Sequence, residues 1–237
     1  MPFRIVKQNK GYFVENIDTG KRYSKKPLTE QNAKAQFRIL NKYLSTLEGS
    51  GLNKGEIKEI SLAPLTDLDI KKYIPNARIM SSSEIGNYNS LDKLMPNNKD
   101  CIFVIYESKP NYGHWVLISR YPSNVFEYFD SYGGKIDEPI DWVNKQTQNS
   151  LDLKPYLTDI LEKAKKDNQN LDIIYNSKDF QNGENKGIAT CGRHCILRAL
   201  TIIKDNQQLT DYIKMMQGIK DVSGYTFDQI VSAIIDI

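Results

Sequence analysis

The amino-acid sequence predicts an α+β fold with a central mixed or antiparallel sheet flanked by helices. Three short apolar runs at residues 101–106, 115–119 and 125–129 are rich in β-branched and aromatic side chains and bounded by turn residues, which is typical of buried strands. The last third of the chain has instead the apolar periodicity of helices. This mixed order of elements predicts the α+β class.

The first fifty residues are predicted to form a ββα unit. Two strand-like segments are joined by a turn at residues 9–11. Thr29 is a suitable N-cap for a helix over residues 30–47, in which apolar side chains recur at spacings of four and three. A Gly- and Ser-rich break follows. We therefore predict a basic accessory module at 1–50, outside the main core, and a second domain at 56–237.

The elements after the break alternate in type. Residues 81–84 are predicted to form a polar turn, and Ser90 is placed to cap a short helix. The remaining predicted elements are helices at 63–73, 91–94, 139–146, 155–165, 191–203, 209–217 and 226–235, and a strand at 171–175.

Composition restricts the class of protein. The chain of 237 residues has no apolar run of about 18 residues that would span a membrane, and its first residues lack the apolar segment of a signal peptide. It has three cysteines, and this odd, low number argues against a disulfide framework. The sequence therefore predicts an intracellular protein without membrane contact.

The basic residues are concentrated at the start of the chain. The net charge is +3, but residues 1–50 carry ten Lys or Arg against four Asp or Glu. This excess is explained either by solubility or by an electrostatic contact with nucleic acid.

Three local sequences bear side chains suited to nucleophilic catalysis. His114 stands at the start of an apolar strand in Tyr-Gly-His-Trp, and Asp130 ends the next strand in Phe-Asp-Ser-Tyr-Gly. Cys191 lies where a loop becomes a helix, in Thr-Cys-Gly-Arg-His-Cys. Each feature alone is common in structural positions, but their joint occurrence is much more specific.

These residue types suit one kind of chemistry. A thiol needs activation before it attacks a carbonyl, and a helix N-terminus and an imidazolium both stabilise the thiolate of Cys191. His114 needs a partner that fixes its orientation, and Asp130 on the adjacent strand is placed for that. The oxyanion of the intermediate needs donors, for which the backbone N–H of Cys191 and the amide of Gln181 or Asn182 are candidates.

Together, the Gly-His-Trp, Phe-Asp-Ser-Tyr-Gly and Cys-Gly segments resemble the adenovirus protease and SUMO-protease superfamily of cysteine peptidases. The Cys-Gly-Arg-His-Cys segment is most similar to the branch found in large DNA viruses and virophages. The resemblance covers about residues 80–210 and implies a papain-like core in which the catalytic histidine precedes the cysteine.

The resemblance implies a role for individual residues. His114 would be the base, Asp130 its orienting partner, Cys191 the nucleophile and Gln181 the oxyanion donor. Trp115 and Gly192 would line the substrate cleft.

One departure concerns the oxyanion donor. The family places its glutamine closer to the cysteine, whereas Gln181 lies ten residues before Cys191. Either the loop has an insertion, or Asn182 or Asn185 takes over the donor role.

The second histidine, His194, raises the alternative hypothesis of a metal site. Cys191, His194 and Cys195 share one helix face, as metal ligands can, but a closed zinc site needs four ligands. His194 has no carboxylate obviously placed to orient it, so His114 is the better base. We predict no metal and no cofactor.

The resemblance also implies a substrate class. Family members cleave after small residues, often glycine, which here implies cleavage of viral capsid or core precursor proteins during virion maturation, in the host cytoplasm and the virion. Removal of ubiquitin-like modifiers, acyl transfer by the same triad, and an inactive binding module are the alternatives.

Overall fold

A mixed five-stranded sheet forms the centre of the structure, a computed structural model that describes residues 2–9, 11–24, 26–97, 101–122, 124–182 and 187–236. The strands are β1 (Phe3–Gln8), β2 (Gly11–Asn16), β3 (Arg78–Ser81), β4 (Cys101–Lys109), β5 (Tyr112–Tyr121), β6 (Val125–Asp130) and β7 (Asp172–Tyr175). The central sheet has the order β3-β4-β5-β6-β7, and β1 and β2 form a separate hairpin. In the central sheet, the inner pairs β4–β5 and β5–β6 are antiparallel, and the outer pairs β3–β4 and β6–β7 are parallel.

Helices cover both faces of this sheet, so the predicted α+β class is confirmed. The α-helices are α1 (Glu30–Gly49), α2 (Lys54–Leu62), α3 (Asp67–Tyr73), α4 (Leu91–Leu94), α5 (Lys145–Ser150), α6 (Tyr156–Asp167), α7 (Cys191–Asp205), α8 (Leu209–Ser223) and α9 (Phe227–Ile234). Two 3-10 helices span Ser83–Asn87 and Glu138–Trp142. Among the residues that the structure describes, no helix has the length and apolar character needed to cross a membrane.

Side-chain alternation along the strands divides the core into two layers. The odd-numbered apolar residues of β4 and β5 pack in one cluster with α7, α8 and α9. The even-numbered ones pack in a second cluster with α4 and α6. The sheet is therefore covered on both sides, and its strands are continuously apolar for that reason.

Helix α7 is buried over most of its length. Every residue from 191 to 202 is buried, although Arg193, His194 and Arg198 are polar. Buried charges are tolerated when they are paired and hydrogen-bonded. Accordingly, Arg198 forms two 2.7 Å bonds to the carboxylate of Glu127, on β6.

The N-terminal hairpin and α1 have the predicted ββα order, and Thr29 caps α1 as predicted. Their packing differs from the prediction of a unit outside the main core. Leu40 and Leu44 of α1 belong to the same apolar cluster as α7, α8 and α9, because the buried face of α1 lies against α8 and α9. The division into domains at 1–50 and 56–237 stays a prediction.

Several boundaries also differ from the predicted ones. Helix α2 and strand β3 were not predicted, since each is short and has few fully buried apolar side chains. The helix predicted from residue 63 begins at Asp67, because Thr66 and Asp69 form a capping box. The predicted helix at 139–146 is a 3-10 helix followed by α5.

Candidate active site

His114, Asp130 and Cys191 lie close together although they belong to three separate elements. His114 and Cys191 line one cleft, and the fully buried Asp130 lies against His114. His114 is near the start of β5, Asp130 is the last residue of β6, and Cys191 is the first residue of α7. All three side chains are buried or nearly so. The sequence-predicted group therefore exists as a spatial cluster.

Strand register explains why His114 meets Asp130. Asp130 is paired with Val116, and His114 is two residues from Val116 on the same face of β5. The two side chains are thus diagonal neighbours across an antiparallel pair. His114 Nε2 donates to Asp130 Oδ1 at 2.8 Å.

Asp130 is held by groups that the sequence did not indicate. Its Oδ1 also accepts a 2.9 Å bond from the backbone N–H of Tyr132. The buried amide of Asn176, just after β7, accepts from the Asp130 N–H at 2.9 Å and donates to the Asp130 carbonyl at 2.6 Å. Asn176 therefore locks the backbone that carries the carboxylate.

The thiol of Cys191 and the ring of His114 both line the cleft and interact with each other. Burial by itself would raise the pKa of this thiol. The interaction with His114 and its charge, together with the backbone N–H groups of Trp115 and Gly192, outweigh burial, and they lower the pKa of Cys191. The position at the start of α7 acts in the same direction.

The pKa of the His114 imidazole is shifted in the opposite direction. Burial favours the neutral ring of His114, but the charge and hydrogen bond of Asp130 and the contact with Cys191 outweigh it and raise the pKa of His114 to about 10. A lowered thiol pKa beside a raised imidazole pKa favours a thiolate–imidazolium pair.

The other two thiols have different surroundings. Cys195 is fully buried, its thiol donates to the Trp115 carbonyl at 3.4 Å, and burial raises its pKa well above the ordinary value. Cys101 is half-buried and bonds to Ser119 at 3.7 Å. Among the three cysteines, Cys191 is the one whose thiol interacts with His114.

Gln181 lies in the same cleft and is 2% exposed. Its Nε2 donates to the Ile188 carbonyl at 3.1 Å and to the Tyr132 hydroxyl at 3.0 Å, while its Oε1 accepts from Ser131 at 3.0 Å. A carbonyl can only accept, so these contacts fix which end of the amide carries the N–H groups.

Asn182 and Asn185 are the two alternative candidates for the oxyanion donor. Asn182 is exposed, and its backbone N–H donates to Asp228 at 3.1 Å. Asn185 lies outside the described residues. The buried amide that faces the cleft in the described part of the chain is therefore the one of Gln181.

Trp115 lines the cleft, and Gly192 packs against the indole ring of Trp115. A Cβ on Gly192 would stand 3.3 Å from Trp115 and 3.1 Å from Leu65, so glycine permits this close packing. The indole N–H of Trp115 donates to the Leu65 carbonyl at 3.1 Å. Gly113 is needed for another reason, since a Cβ there would meet the Tyr106 carbonyl oxygen at 2.0 Å.

Two aromatic rings around His114 were not predicted from the sequence. Tyr132 stacks on the imidazole with ring centroids 4.9 Å apart, and Trp142 lies 5.2 Å from it. Trp142 is half exposed although it is a large apolar side chain. Together these rings narrow a cleft of ≈ 270 Å³ around the reactive groups.

His194 has a carboxylate partner, so the prediction that none is placed to orient it is wrong. Its Nε2 faces Asp228 Oδ1, on α9, at 3.4 Å. The ring is fully buried and stands apart from the cleft that holds Cys191. Within the described ranges, no group of three or more Cys, His, Asp or Glu side chains is placed to hold a metal ion.

Many basic side chains of the N-terminal unit are already paired. In the part of segment 1–50 that the structure describes, five Lys or Arg side chains form ion pairs with carboxylates. They are Arg4, Lys21, Arg22, Lys34 and Lys42. This pairing lowers the positive charge available for nucleic acid.

The fold and the cleft thus define an α+β protein with a paired thiol and imidazole. No family model matches the chain. It is 30% identical over 181 residues to the uncharacterized protein V9 of Sputnik virophage, an alignment that covers 76% of this chain and 98% of V9. The chain therefore belongs to the same protein family as V9 of Sputnik virophage.

Proposed function

We propose that this protein is a cysteine peptidase with a papain-like core, in which Cys191 is the nucleophile and His114 the general base and acid. One observation carries the proposal. The His114 ring, hydrogen-bonded to the buried Asp130, interacts with the Cys191 thiol at the wall of one cleft, and the pKa values of the thiol and the imidazole are shifted toward the ion pair. This is the arrangement that activates a cysteine for attack on a carbonyl.

The reaction follows from the placement of these groups. The Cys191 thiolate attacks the carbonyl carbon, a C–S bond forms, and the C=O electron pair moves to oxygen. The His114 imidazolium then gives its proton to the amine as the C–N bond breaks, leaving a thioester. Water, deprotonated by the neutral His114, hydrolyses the thioester and restores the thiol.

The oxyanion requires donors close to the sulfur. We assign the backbone N–H of Cys191, at the start of α7, and Nε2 of Gln181 to this role. In the free protein one Nε2–H is bonded to the Tyr132 hydroxyl, which the substrate oxyanion would replace. Because Asp130 accepts from Nε2 of His114, the ring Nδ1 is left to face the thiol.

The shape of the cleft around His114 supports a preference for small residues before the scissile bond. Trp115, Tyr132 and Trp142 line the cleft around His114, and a glycine passes such aromatic walls most easily. We propose viral capsid or core precursors as substrates, since the relative V9 is a virophage protein. Ubiquitin-like modifiers that end in glycine are the alternative substrate.

Alkylation of the native protein with iodoacetamide tests the activation of the thiol. Cys191 is expected to react at pH values well below the free-thiol pKa of about 8.5, because its lowered pKa keeps the thiol ionised at those pH values. The raised pKa of His114 keeps its imidazolium partner charged up to about pH 10. Mass spectrometry identifies the modified residue at each pH.

The control for this experiment is internal. Cys195, whose pKa burial raises, is expected to stay unmodified over the same range. His114→Ala should return the reactivity of Cys191 to that of an ordinary thiol. If Cys191 reacts no faster than Cys101 or Cys195 in the native protein, the inactive binding module becomes the better explanation.

Gln181→Glu tests the oxyanion donor with a side chain of the same shape. Losing one donor is expected to lower kcat about 10²- to 10³-fold with little change in KM, measured on a fluorogenic amide of a peptide ending in Gly-Gly. Gln169→Glu, at an exposed site, makes the same chemical change away from the cleft. A larger loss in Asn182→Ala than in Gln181→Glu would move the donor role to Asn182.

A further inference from the structure

A buried carboxylate behind the cleft joins two segments that bear the proposed oxyanion donors. Asp228, on α9, is 3% exposed. Its Oδ1 accepts from the Thr190 hydroxyl at 2.5 Å, and its Oδ2 accepts from the Asn182 backbone N–H at 3.1 Å. Thr190 directly precedes Cys191 in the chain, and Asn182 directly follows Gln181.

The Thr190 side chain is used in an unusual way. Thr190 occupies the N-cap position of α7, where a hydroxyl commonly accepts from the first turn of its own helix, but it makes no such bond. Its hydroxyl donates to Asp228 instead. The Thr190 hydroxyl therefore does not accept from the N–H groups in the first turn of α7, and these groups can act near the sulfur.

His194 supplies the third contact to the carboxylate. Its Nε2 faces the same Oδ1 at 3.4 Å from the next turn of α7. Burial would raise the pKa of Asp228, but the contacts with His194, Thr190 and Asn182 outweigh burial and lower it. Asp228 is thus held as a carboxylate that accepts from two segments at once.

We propose that Asp228 and Thr190 are positioning residues that set the distance between the two oxyanion donors, the Cys191 N–H and Gln181 Nε2. This inference rests on the proposed function. Asp228 does not touch His114 or Asp130, which are held by Tyr132 and Asn176. Loss of its contacts should therefore weaken stabilisation of the oxyanion and leave activation of the thiol intact.

Two reagents separate these effects. A peptide aldehyde ending in glycinal forms a tetrahedral adduct, since the thiolate adds to the carbonyl carbon and the oxygen takes the electron pair and then a proton. That adduct needs the oxyanion donors. Iodoacetamide reacts with the same thiolate by displacing iodide and forms no oxyanion, so it reports the thiolate alone.

Thr190→Val removes the hydroxyl with little change in volume. We expect affinity for the aldehyde to fall about 10- to 100-fold, while the rate and pH profile of Cys191 alkylation stay within about twofold of wild type. Thr190→Ser, which keeps the hydroxyl, should restore the affinity. Asp228→Asn should act like Thr190→Val, with Asp211→Asn on the exposed side of α8 as the matched control.

The outcomes are distinguishable. Unchanged aldehyde affinity in Thr190→Val overturns the inference alone. Equal losses of aldehyde affinity and alkylation, with a lower Tm, also overturn it, because they indicate a purely structural role. A wild-type protein that neither reacts fast at Cys191 nor binds the aldehyde overturns the proposed function, and the inference with it.

Discussion

Cys191→Ala is expected to abolish peptide cleavage while the protein stays folded. Removal of the nucleophile leaves no group that can form the thioester, so kcat should fall by at least about 10⁴-fold. The fold should tolerate the change, because alanine is small and is a good helix former at the start of α7. Cleavage of the Gly-Gly fluorogenic peptide and the Tm, measured on the same preparation, check both statements.

The losses of kcat in His114→Ala and Asp130→Ala are expected to differ from each other. His114→Ala should approach the loss of Cys191→Ala, since it removes both the ion-pair partner and the proton donor. Asp130→Ala should cost less than either, because Asp130 only orients and stabilises the imidazolium. Cys195→Ala, at a buried thiol outside the reaction, is the matched control and should keep wild-type kcat. Turnover by Cys191→Ala equal to wild type would exclude the proposed mechanism.

The parts of the site that were predictable from sequence lie on elements with a strong local pattern. Strands β4, β5 and β6 are short apolar runs bounded by turns, so their ends were visible, and with them His114 and Asp130. Cys191 stands where the helical periodicity of α7 begins. In each case the chemistry-bearing residue is adjacent to an element boundary that the apolar pattern marks.

The parts that were missed are set by contacts between distant segments. Asn176 reaches Asp130 across 46 residues, and Asp228 reaches His194 across 34. No local periodicity indicates that a polar side chain will be buried against a backbone so far away in the chain. Trp142 was missed for a similar reason, because a 3-10 helix of five residues has too few side chains to show a pattern.

The buried pair of Arg198 and Glu127 connects the two halves of the site. Glu127 lies on β6, three residues before Asp130, and Arg198 lies on α7, two turns after Cys191. Their side chains are fully buried, and Tyr121 bonds to both of them. The position of the strand that bears the aspartate relative to the helix that bears the cysteine therefore depends on this network.

Removing one partner of this pair is expected to give the largest loss of stability. Arg198→Met leaves the Glu127 carboxylate buried without its cation, and Glu127→Leu leaves the guanidinium without its anion, so each should cost about 3–5 kcal/mol of unfolding free energy. For a chain of this size that corresponds to a fall in Tm of about 10 °C. Urea unfolding followed by circular dichroism measures both.

The double variant Arg198→Met with Glu127→Leu is the decisive comparison. It leaves no unpaired charge, so we expect it to recover most of the stability lost in either single variant. Lys34→Met with Glu30→Leu, an exposed pair on α1, should change the unfolding free energy by less than about 1 kcal/mol at each step. If the double variant at Arg198 and Glu127 is as unstable as the sum of its single variants, desolvated charge is not the cause, and the shape of the two side chains must be what holds β6 against α7.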